Sequence, residues 1–307
     1  MADRDPAPLL ESIEEAIHLL EGYSPDSRAL AQSDPLPSLL EQCEALCARA
    51  AQDSPVRSLH HFACTGGTLI ARCIAALPNT QTLSEINPLS RLHLRWPRKP
   101  FFPTDILADL HMSARPVSHE LIIEVFCAGL LRLRDGLAQQ GQHLVIRDHA
   151  HSQFCTDPDQ ITRPTLRQML LPHMTVLSVV TLRHPLDSFL SLDAQNWTHF
   201  SPFTIEEYCT RYIAFLEAYE GVPQIRYEDF VADPVAGLDR ICTLLDLPRD
   251  PCALDMIEAI SLSGDSGRSN SDINQRPRRP VPGHIAEQIK TSAAYDRLCM
   301  ICDYDPA

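Results

Sequence analysis

Two glycines between two threonines form a turn that suits the binding of an anion. Residues 56–63 predict a strand, Thr65-Gly66-Gly67-Thr68 follows it, and a short helical pattern begins at Leu69. Glycine lets the backbone approach an anion closely, and threonine hydroxyls donate hydrogen bonds. A helix N-terminus adds free N–H groups and a favourable dipole. The segment therefore predicts a phosphate-binding turn.

The turn lacks the signature of P-loop kinases and NTPases. That signature, GxxxxGK[ST], occurs nowhere in the chain, and neither of its two lysines, Lys99 and Lys290, lies near the turn. A kinase-like phosphotransferase would need this lysine and a Mg²⁺-holding hydroxyl beside it. This class of enzyme is therefore kept only as an alternative.

Arg183 and Ser191 have the spacing of a second anion-binding pair. Arg183 follows residues 176–182, the most β-like run of the chain, and Pro185 suits the first turn of a helix. Ser191 lies about two turns along that helix. A guanidinium and a hydroxyl so placed can hold one phosphate, the first by charge and the second by hydrogen bond.

Two other strand ends carry groups that can accept a proton. His149 follows the predicted strand 143–147, and Glu85 follows the predicted strand 80–84. A neutral imidazole suits proton abstraction near pH 7, whereas a carboxylate needs burial to raise its pKa. His149 is the preferred candidate base and Glu85 the alternative. Two histidines at i,i+2 on an extended segment point in opposite directions, so we do not expect His149 and His151 to converge or to share a metal ion.

The elements that position these residues alternate between strand and helix. Such alternation is typical of a parallel sheet covered by helices on both faces, where ligands bind beyond the carboxyl ends of the strands. The predicted fold class is α/β, with a parallel sheet flanked by helices. The predicted strands are residues 56–63, 80–84, 143–147, 176–182 and 224–227.

An N-terminal helical segment is expected to precede this sheet. Residues 1–55 predict two or three helices that pack on the main domain, residues 56–307. The same helices are compatible with a homo-oligomer. Residues 87–116 look irregular and are rich in Pro, Arg and aromatic side chains. We expect Trp96, Phe101 and Phe102 in this segment to line the site of a second substrate.

Composition excludes several classes of function. The 307 residues carry 26 Lys and Arg against 40 Asp and Glu, a formal net charge of −14. An acidic chain is a poor binder of nucleic acid. The chain contains no run of 18 apolar residues, so membrane insertion is not expected. The acidic N-terminus lacks the features of a signal peptide. The 11 cysteines form no regular framework, which favours reduced thiols and a cytoplasmic location.

Three segments and the order in which they occur along the chain resemble the sulfotransferases that use 3′-phosphoadenosine 5′-phosphosulfate (PAPS). They are the strand–TGGTL–helix segment, RHPLDSFLS at 183–191 and IRYEDFVADPVAGLDRICTLLDL at 225–247. The resemblance covers residues 56–280. It implies the P-loop NTPase-like sulfotransferase fold.

The resemblance also implies a role for each matching position. The turn residues would hold the 5′-phosphosulfate, Arg183 and Ser191 would hold the 3′-phosphate, and Tyr227 would lie near the adenine. A later loop would close over the 3′-phosphate, with Arg278 as a weaker choice there. The turn consists of Thr65, Gly66, Gly67, Thr68 and Leu69. The later loop contributes Ser266, Gly267 and Arg268.

This chain departs from the family pattern at Cys64, or at Thr65 if the alignment is shifted by one residue, because the family loop normally carries Lys or Arg there. The missing charge must come from elsewhere, since it stabilises the transferring group. Candidates are His60, His61, Arg147 and the C-terminal arginines. For the base, His149 resembles the histidine of the cytosolic relatives. Glu85 resembles the glutamate of the tyrosylprotein relatives.

The resemblance therefore implies a PAPS-dependent sulfotransferase that acts on an acceptor hydroxyl of a carbohydrate or other small molecule. PAPS would be the co-substrate, and no metal would be required. A non-catalytic nucleotide-binding relative is an alternative, because Cys64 replaces the usual cation.

Overall fold

The sheet contains five parallel strands in the order β2-β3-β1-β4-β5. The computed structural model describes residues 18, 38–52, 54–92, 94, 104–156, 163–263 and 273–306. Every neighbouring pair of strands runs parallel, and helices flank the sheet, so the predicted fold class is confirmed. The strands are β1 (Val56–His61), β2 (Thr80–Ile86), β3 (His143–Asp148), β4 (Val176–Leu182) and β5 (Gln224–Arg226).

Several helices begin where side chains satisfy their free N–H groups. Ser118, Thr204 and Asp233 each accept a hydrogen bond from the backbone of the first turn that follows them. The helices are α1 (Leu39–Gln52), α2 (Gly67–Ala75), α3 (Ile106–His111), α4 (His119–Gln139), α5 (His151–Phe154), α6 (Leu166–Leu170), α7 (Pro185–Ala194), α8 (Ile205–Ala218), α9 (Tyr227–Ala232), α10 (Pro234–Leu245), α11 (Gly283–Ile289) and α12 (Ala293–Cys302), with a 3₁₀ helix at Ala253–Ala259.

Both faces of the sheet are buried. Side chains alternate along a strand, so Val179 and Val180 of β4 point to opposite faces. Val179 packs with Leu59 of β1 against α2 and α10. Val180 packs with Phe62 against α7, α8 and α12. Both valines are almost completely buried, as expected for an inner strand of a doubly covered sheet.

The central strand β1 is polar in sequence and fully buried. Its six residues, VRSLHH, are all buried. Arg57 is tolerated there because its guanidinium donates to the carbonyl oxygens of Leu245 (2.7 Å) and Asp246 (2.8 Å), at the C-terminal end of α10. The arginine thus satisfies helix-end carbonyls that would otherwise lack a partner.

Two predicted boundaries differ from the structure. Residues 87–116 were expected to be irregular, but α3 forms within them because Asp105 caps its N-terminus by accepting from the Ala108 N–H at 3.0 Å. The last strand ends at Arg226, and Tyr227 begins α9. Trp96, Phe101 and Phe102 lie outside the described residues.

The chain divides into two compact units, residues 1–46 and 47–307. The described part of the first unit includes most of the residues of α1. The packing of residues 1–55 on the main domain stays a prediction. Within the part of the chain that the structure covers, no helix is long and apolar enough to cross a membrane.

Candidate active site

A cavity of about 480 Å³ lies at the carboxyl edge of the sheet. Its wall is formed by residues from six places in the chain: the turn after β1, the end of β2, strand β3, the start of α7, the start of α9, and residues 275–279. Eight of the predicted site residues contribute to its wall. They are Glu85, Gly66, Gly67, Thr68, Leu69, Arg183, Ser191 and Tyr227. The strand ends thus converge as the sequence predicts. Ser266, Gly267 and Arg268 lie outside the described residues.

The β1–α2 turn depends on two glycines that tolerate close neighbours. Gly66 has φ +91°, and a Cβ there would lie 2.3 Å from Cδ2 of Tyr227. A Cβ on Gly67 would lie 2.3 Å from Cγ of His61. Only glycine fits either position without moving a ring. The turn ends in the N-terminus of α2, which points N–H groups at the cavity edge.

The two threonines of the turn play different parts. Thr65 is buried, and its Oγ1 donates to the Phe62 carbonyl at 2.9 Å and lies 2.8 Å from Oγ1 of Thr181. Its hydroxyl is therefore engaged inside the fold, and Thr65 does not line the cavity. Thr68 lines the cavity and accepts a hydrogen bond from Nη2 of Arg147 at 2.8 Å.

Arg183 joins three of the predicted features. Its Nη1 donates to Ser191 Oγ at 3.2 Å and to the Cys64 carbonyl at 3.1 Å. Its guanidinium carbon lies 4.7 Å from the centre of the Tyr227 ring, a cation–π distance. The arginine, the serine, the turn and the tyrosine therefore border one region of the cavity.

The C-terminal residues hold the neighbourhood of Arg183 in place. Glu228 accepts from the His184 N–H at 2.9 Å through one oxygen and from the Tyr304 hydroxyl at 2.8 Å through the other. Nearby, Arg278 donates to both oxygens of Asp187, at 2.8 and 3.3 Å. These contacts tie residues 278–304 to the beginning of α7.

Arg147 brings positive charge to the turn from strand β3. It is buried, donates to Thr68 and to Nε2 of His61 at 3.0 Å, and forms an ion pair with Glu85. Burial lowers the pKa of Arg147 and Glu85 raises it, but a guanidinium remains charged at neutral pH. Arg147 is one of the candidates for the missing loop cation. It therefore places a positive charge at the turn itself.

Of the two histidine candidates, one is neutral and the other faces away from the turn, whereas the C-terminal arginines at 276–279 line the cavity. Burial and the charge of Arg147 lower the pKa of His61 to about 3. Burial raises the pKa of the Cys64 thiol to about 12, so this residue supplies no charge at neutral pH. His60 faces Asp148, with 2.8 Å between Nδ1 and Oδ2.

Asp148 is the buried acceptor of a network behind the site. Besides His60, it accepts from the Tyr219 hydroxyl at 2.7 Å and from Asn87 at 3.3 Å. Burial alone would raise the pKa of Asp148, but these hydrogen bonds bring it below its usual value. The sequence analysis does not identify this network. The feature that could have indicated it is Asp148, an aspartate at the end of an apolar strand.

Glu85 occupies an unusual backbone position beside the cavity. Its φ is +60°, and the register of β2 against β3 shifts between Leu83 and Ile86. One carboxylate oxygen pairs with Arg147, and the other, Oε2, is buried without a hydrogen-bond partner. Burial raises the pKa of Glu85 to about 7, against the lowering effect of Arg147.

The imidazole rings of His149 and His151 lie together beside the Glu85 carboxylate. Their Nε2 atoms lie 2.8 Å apart, and Glu85 Oε2 lies 3.7 Å from His149 Nε2 and 3.8 Å from His151 Nδ1. His151 lines the cavity and His149 does not. The expectation that the two histidines do not converge is wrong, because the chain turns from strand to helix between them, with Ala150 at φ −60° and ψ −30°.

Similarities to known proteins come from a family model and from solved structures. No curated protein matches the chain. Among solved structures, it is similar to the sulfotransferase domain of the Synechococcus PCC 7002 olefin synthase, with 15% identity and a TM-score of 0.46 over 82% of this chain and 96% of that one. The sulfotransferase domain of the curacin biosynthetic pathway gives the same identity, TM-score and share of this chain, and 99% of its own length is covered.

STF1 of Mycobacterium tuberculosis H37Rv, a sulfotransferase, is 13% identical, with a TM-score of 0.39 over 70% of this chain and 73% of that one. The family model described as "Sulfotransferase family" matches residues 62–251. That match spans more than half of the chain and includes the turn, both candidate bases, the Arg183–Ser191 pair and Tyr227. The chain is therefore a member of the sulfotransferase family.

Proposed function

We propose that this sulfotransferase takes its sulfuryl group from PAPS and transfers it to an acceptor hydroxyl of a carbohydrate or other small molecule. The observation that carries the proposal is the pairing of Arg183 with Ser191 beside the carbonyl of Cys64, on the wall of the cavity. A guanidinium and a hydroxyl at that place suit the 3′-phosphate that distinguishes PAPS from other adenine nucleotides.

The remaining donor contacts follow from the same wall. The 5′-phosphosulfate would lie over the β1–α2 turn, where the N–H groups of α2 and the Arg147 guanidinium favour negative charge. Tyr227, which the Arg183 guanidinium already contacts, would lie beside the adenine. Thr65 serves this site by shaping the turn, since its hydroxyl bonds within the fold.

We assign the base to Glu85, because it lines the cavity whereas His149 does not. The Glu85 carboxylate takes the proton of the acceptor hydroxyl, whose oxygen forms a bond to sulfur. The bond between sulfur and the 5′-phosphate oxygen breaks, and the electron pair leaves with 3′-phosphoadenosine 5′-phosphate (PAP). Arg147 stabilises the charge that develops on this leaving group. No metal is required for these steps.

Calorimetric titration with PAP tests the donor. We expect Arg183→Ala to weaken PAP binding about 30-fold or more, since losing a charged hydrogen-bond partner costs about 2 kcal/mol or more. AMP, which lacks the 3′-phosphate, should bind weakly and should lose little in the same variant. Arg249→Ala, at an exposed arginine paired with Asp239, is the matched control and should bind PAP normally.

Equal losses for PAP and AMP would contradict the 3′-phosphate assignment, and preferential binding of Mg-ATP would favour the kinase-like alternative. A screen of hydroxyl acceptors with labelled PAPS then separates an enzyme from a non-catalytic relative. Transfer of label that depends on Glu85 supports the proposal. PAP binding without transfer to any acceptor favours the non-catalytic relative.

A further inference from the structure

Glu85, His149 and His151 form a cluster of three metal-ligating side chains at the rear of the cavity. One ligand atom from each lies within 4.8 Å of the other two. The two Nε2 atoms are 2.8 Å apart, and Glu85 Oε2 is 3.7 Å from His149 Nε2. In a tetrahedral zinc site, bonds of 2.0–2.2 Å place neighbouring ligand atoms about 3.3 Å apart. The separations in the cluster lie on both sides of that value, so small side-chain movements would form the site.

The carboxylate oxygen of this cluster has no other partner. Glu85 Oε1 pairs with Arg147, but Oε2 is buried and makes no hydrogen bond. An unsatisfied buried oxygen costs free energy unless a partner is supplied. A cation bound between Oε2 and the two imidazoles would supply that partner while leaving the Arg147 ion pair intact.

A second layer of contacts orients the first imidazole for a metal. Nδ1 of His149 lies 2.9 Å from Oγ of Ser90. A proton on Nδ1 donates to that oxygen and leaves a lone pair on Nε2, which is the usual arrangement of a metal-ligating histidine. The proton that lies between the two Nε2 atoms belongs in that case to His151, and it moves to Nδ1 of the same ring when metal binds.

We propose that Glu85, His149 and His151 bind a divalent cation of the zinc class, and that this cation inhibits transfer by withdrawing Glu85 from the acceptor. Two imidazoles and one carboxylate suit Zn²⁺, whereas Mg²⁺ and Ca²⁺ prefer oxygen ligands alone. Only the inhibitory part rests on the proposed function, because metal binding is measured without turnover.

Cobalt absorption of the full-length, metal-free protein tests the binding part. Co²⁺ in a tetrahedral nitrogen and oxygen site gives visible absorption, and thiolate ligands add charge-transfer bands in the near-ultraviolet that would reveal binding to cysteines. We expect one equivalent of Co²⁺ to bind without thiolate bands and to be displaced by Zn²⁺. His149→Asn and His151→Asn should abolish the visible signal, and His173→Asn, at an exposed histidine in a turn, should retain it.

Ser90→Ala keeps all three ligands and tests the orienting contact. We expect it to weaken Zn²⁺ binding by about 10- to 100-fold, the usual cost of losing such a contact. Unchanged thermal unfolding of each variant excludes misfolding as the cause. Visible absorption that survives in both histidine variants would place the metal elsewhere and overturn the proposal.

Turnover in the presence and absence of Zn²⁺ tests the inhibitory part. Zn²⁺ should inhibit transfer by the wild-type protein, a chelator should restore it, and the fractional inhibition should fall in His151→Asn. Binding without inhibition, or activation by Zn²⁺, would contradict the inhibitory assignment. PAP affinity, measured in the same samples, reports separately on the donor site.

Discussion

Arg147 carries to the turn a charge that the turn's own sequence lacks. In the proposed mechanism it takes the place of the expected loop cation, and it comes from another strand, since β3 lies directly beside β1 in the sheet. Its guanidinium reaches Thr68 of the turn and Glu85 of β2 at once. One buried side chain therefore contacts both the proposed donor turn and the candidate base.

We expect Arg147→Gln to lower kcat by about 10²- to 10³-fold, the usual cost of removing a group that stabilises developing charge. Arg147→Lys should retain part of the activity, because it keeps the charge but not the planar fork. Steady-state rates with the acceptor found in the screen measure both variants, and Arg249→Gln is the control. Full activity of Arg147→Gln would assign the charge to another group, such as Arg279 on the cavity wall.

Alanine substitutions at Gly66 and Gly141 distinguish the effect of backbone strain on stability from the effect of the turn on PAP binding. Gly66 and Gly141 both have positive φ, +91° and +72°, but only a Cβ on Gly66 meets another side chain, Tyr227. Alanine at either position should lower the free energy of unfolding by about 1–3 kcal/mol. Gly66→Ala alone should weaken PAP binding, because it displaces the Tyr227 ring. Denaturant melts and calorimetry measure the two effects, and equal PAP affinity in both variants would contradict the role of the turn.

The sequence indicated the position of a residue correctly where a single strand end decides that position, and the binding roles of these residues stay predictions. Gly66, Gly67, Arg183 and Ser191 lie as their spacing indicates, because each follows directly from a strand or a helix turn. The choice between His149 and Glu85 was not decidable in this way. It depends on the positive φ of Glu85 and on the register shift in β2, and neither leaves a mark in the sequence.

At the scale of elements, the β1–α2 turn contains one threonine hydroxyl that is buried in the fold and one that belongs to a residue of the cavity wall. Thr65 Oγ1 joins the turn to β4 through Thr181, and Thr68 Oγ1 faces Arg147. The sequence presents the two threonines as equivalent, since they flank the glycines symmetrically. The difference arises only because the chain enters α2 between them.

Thr65→Val and Thr68→Val test that difference. Thr65→Val should lower the free energy of unfolding by about 1–3 kcal/mol, because it leaves the buried hydroxyl of Thr181 without its partner. Thr68→Val should change stability little and should reduce the rate of transfer, since it removes a hydroxyl at the donor site. Urea denaturation and transfer assays measure the pair, and the reverse pattern would show that Thr65 contacts the donor.

The five strands were predicted because each is a short run that contains apolar residues and precedes a turn or a helix. The short helix α3 was missed because its six residues are too few to show a period, and its start depends on the Asp105 cap. Tyr227 was expected on a strand, but a helix begins there directly after three strand residues, without an intervening loop.

At the scale of the whole molecule, Arg57 joins the beginning of the domain to a distant part of the chain. It donates to the carbonyl of Leu245, 188 residues further along. The contact fixes the end of α10 against the central strand. Composition gave no hint of it, because arginine is rarely found buried inside a strand.

Arg57→Ala should therefore lower the free energy of unfolding by about 3–5 kcal/mol, since it opens a void and leaves buried carbonyls without donors. Arg240→Ala, at an exposed position of α10, should cost less than about 1 kcal/mol. Guanidinium titrations of the two variants measure the difference. Similar stabilities would show that solvent replaces the Arg57 contacts.

The sheet order has a consequence for how such an enzyme changes over evolution. The donor turn follows β1, which has a strand on either side, whereas Glu85 lies on β2 at one edge of the described sheet. A change in the central strand disturbs two neighbours, and a change in the edge strand disturbs one. Under the proposed function we expect mutation around β2 to change the acceptor range while the contacts of the β1–α2 turn persist, so directed evolution of acceptor range should begin at that edge.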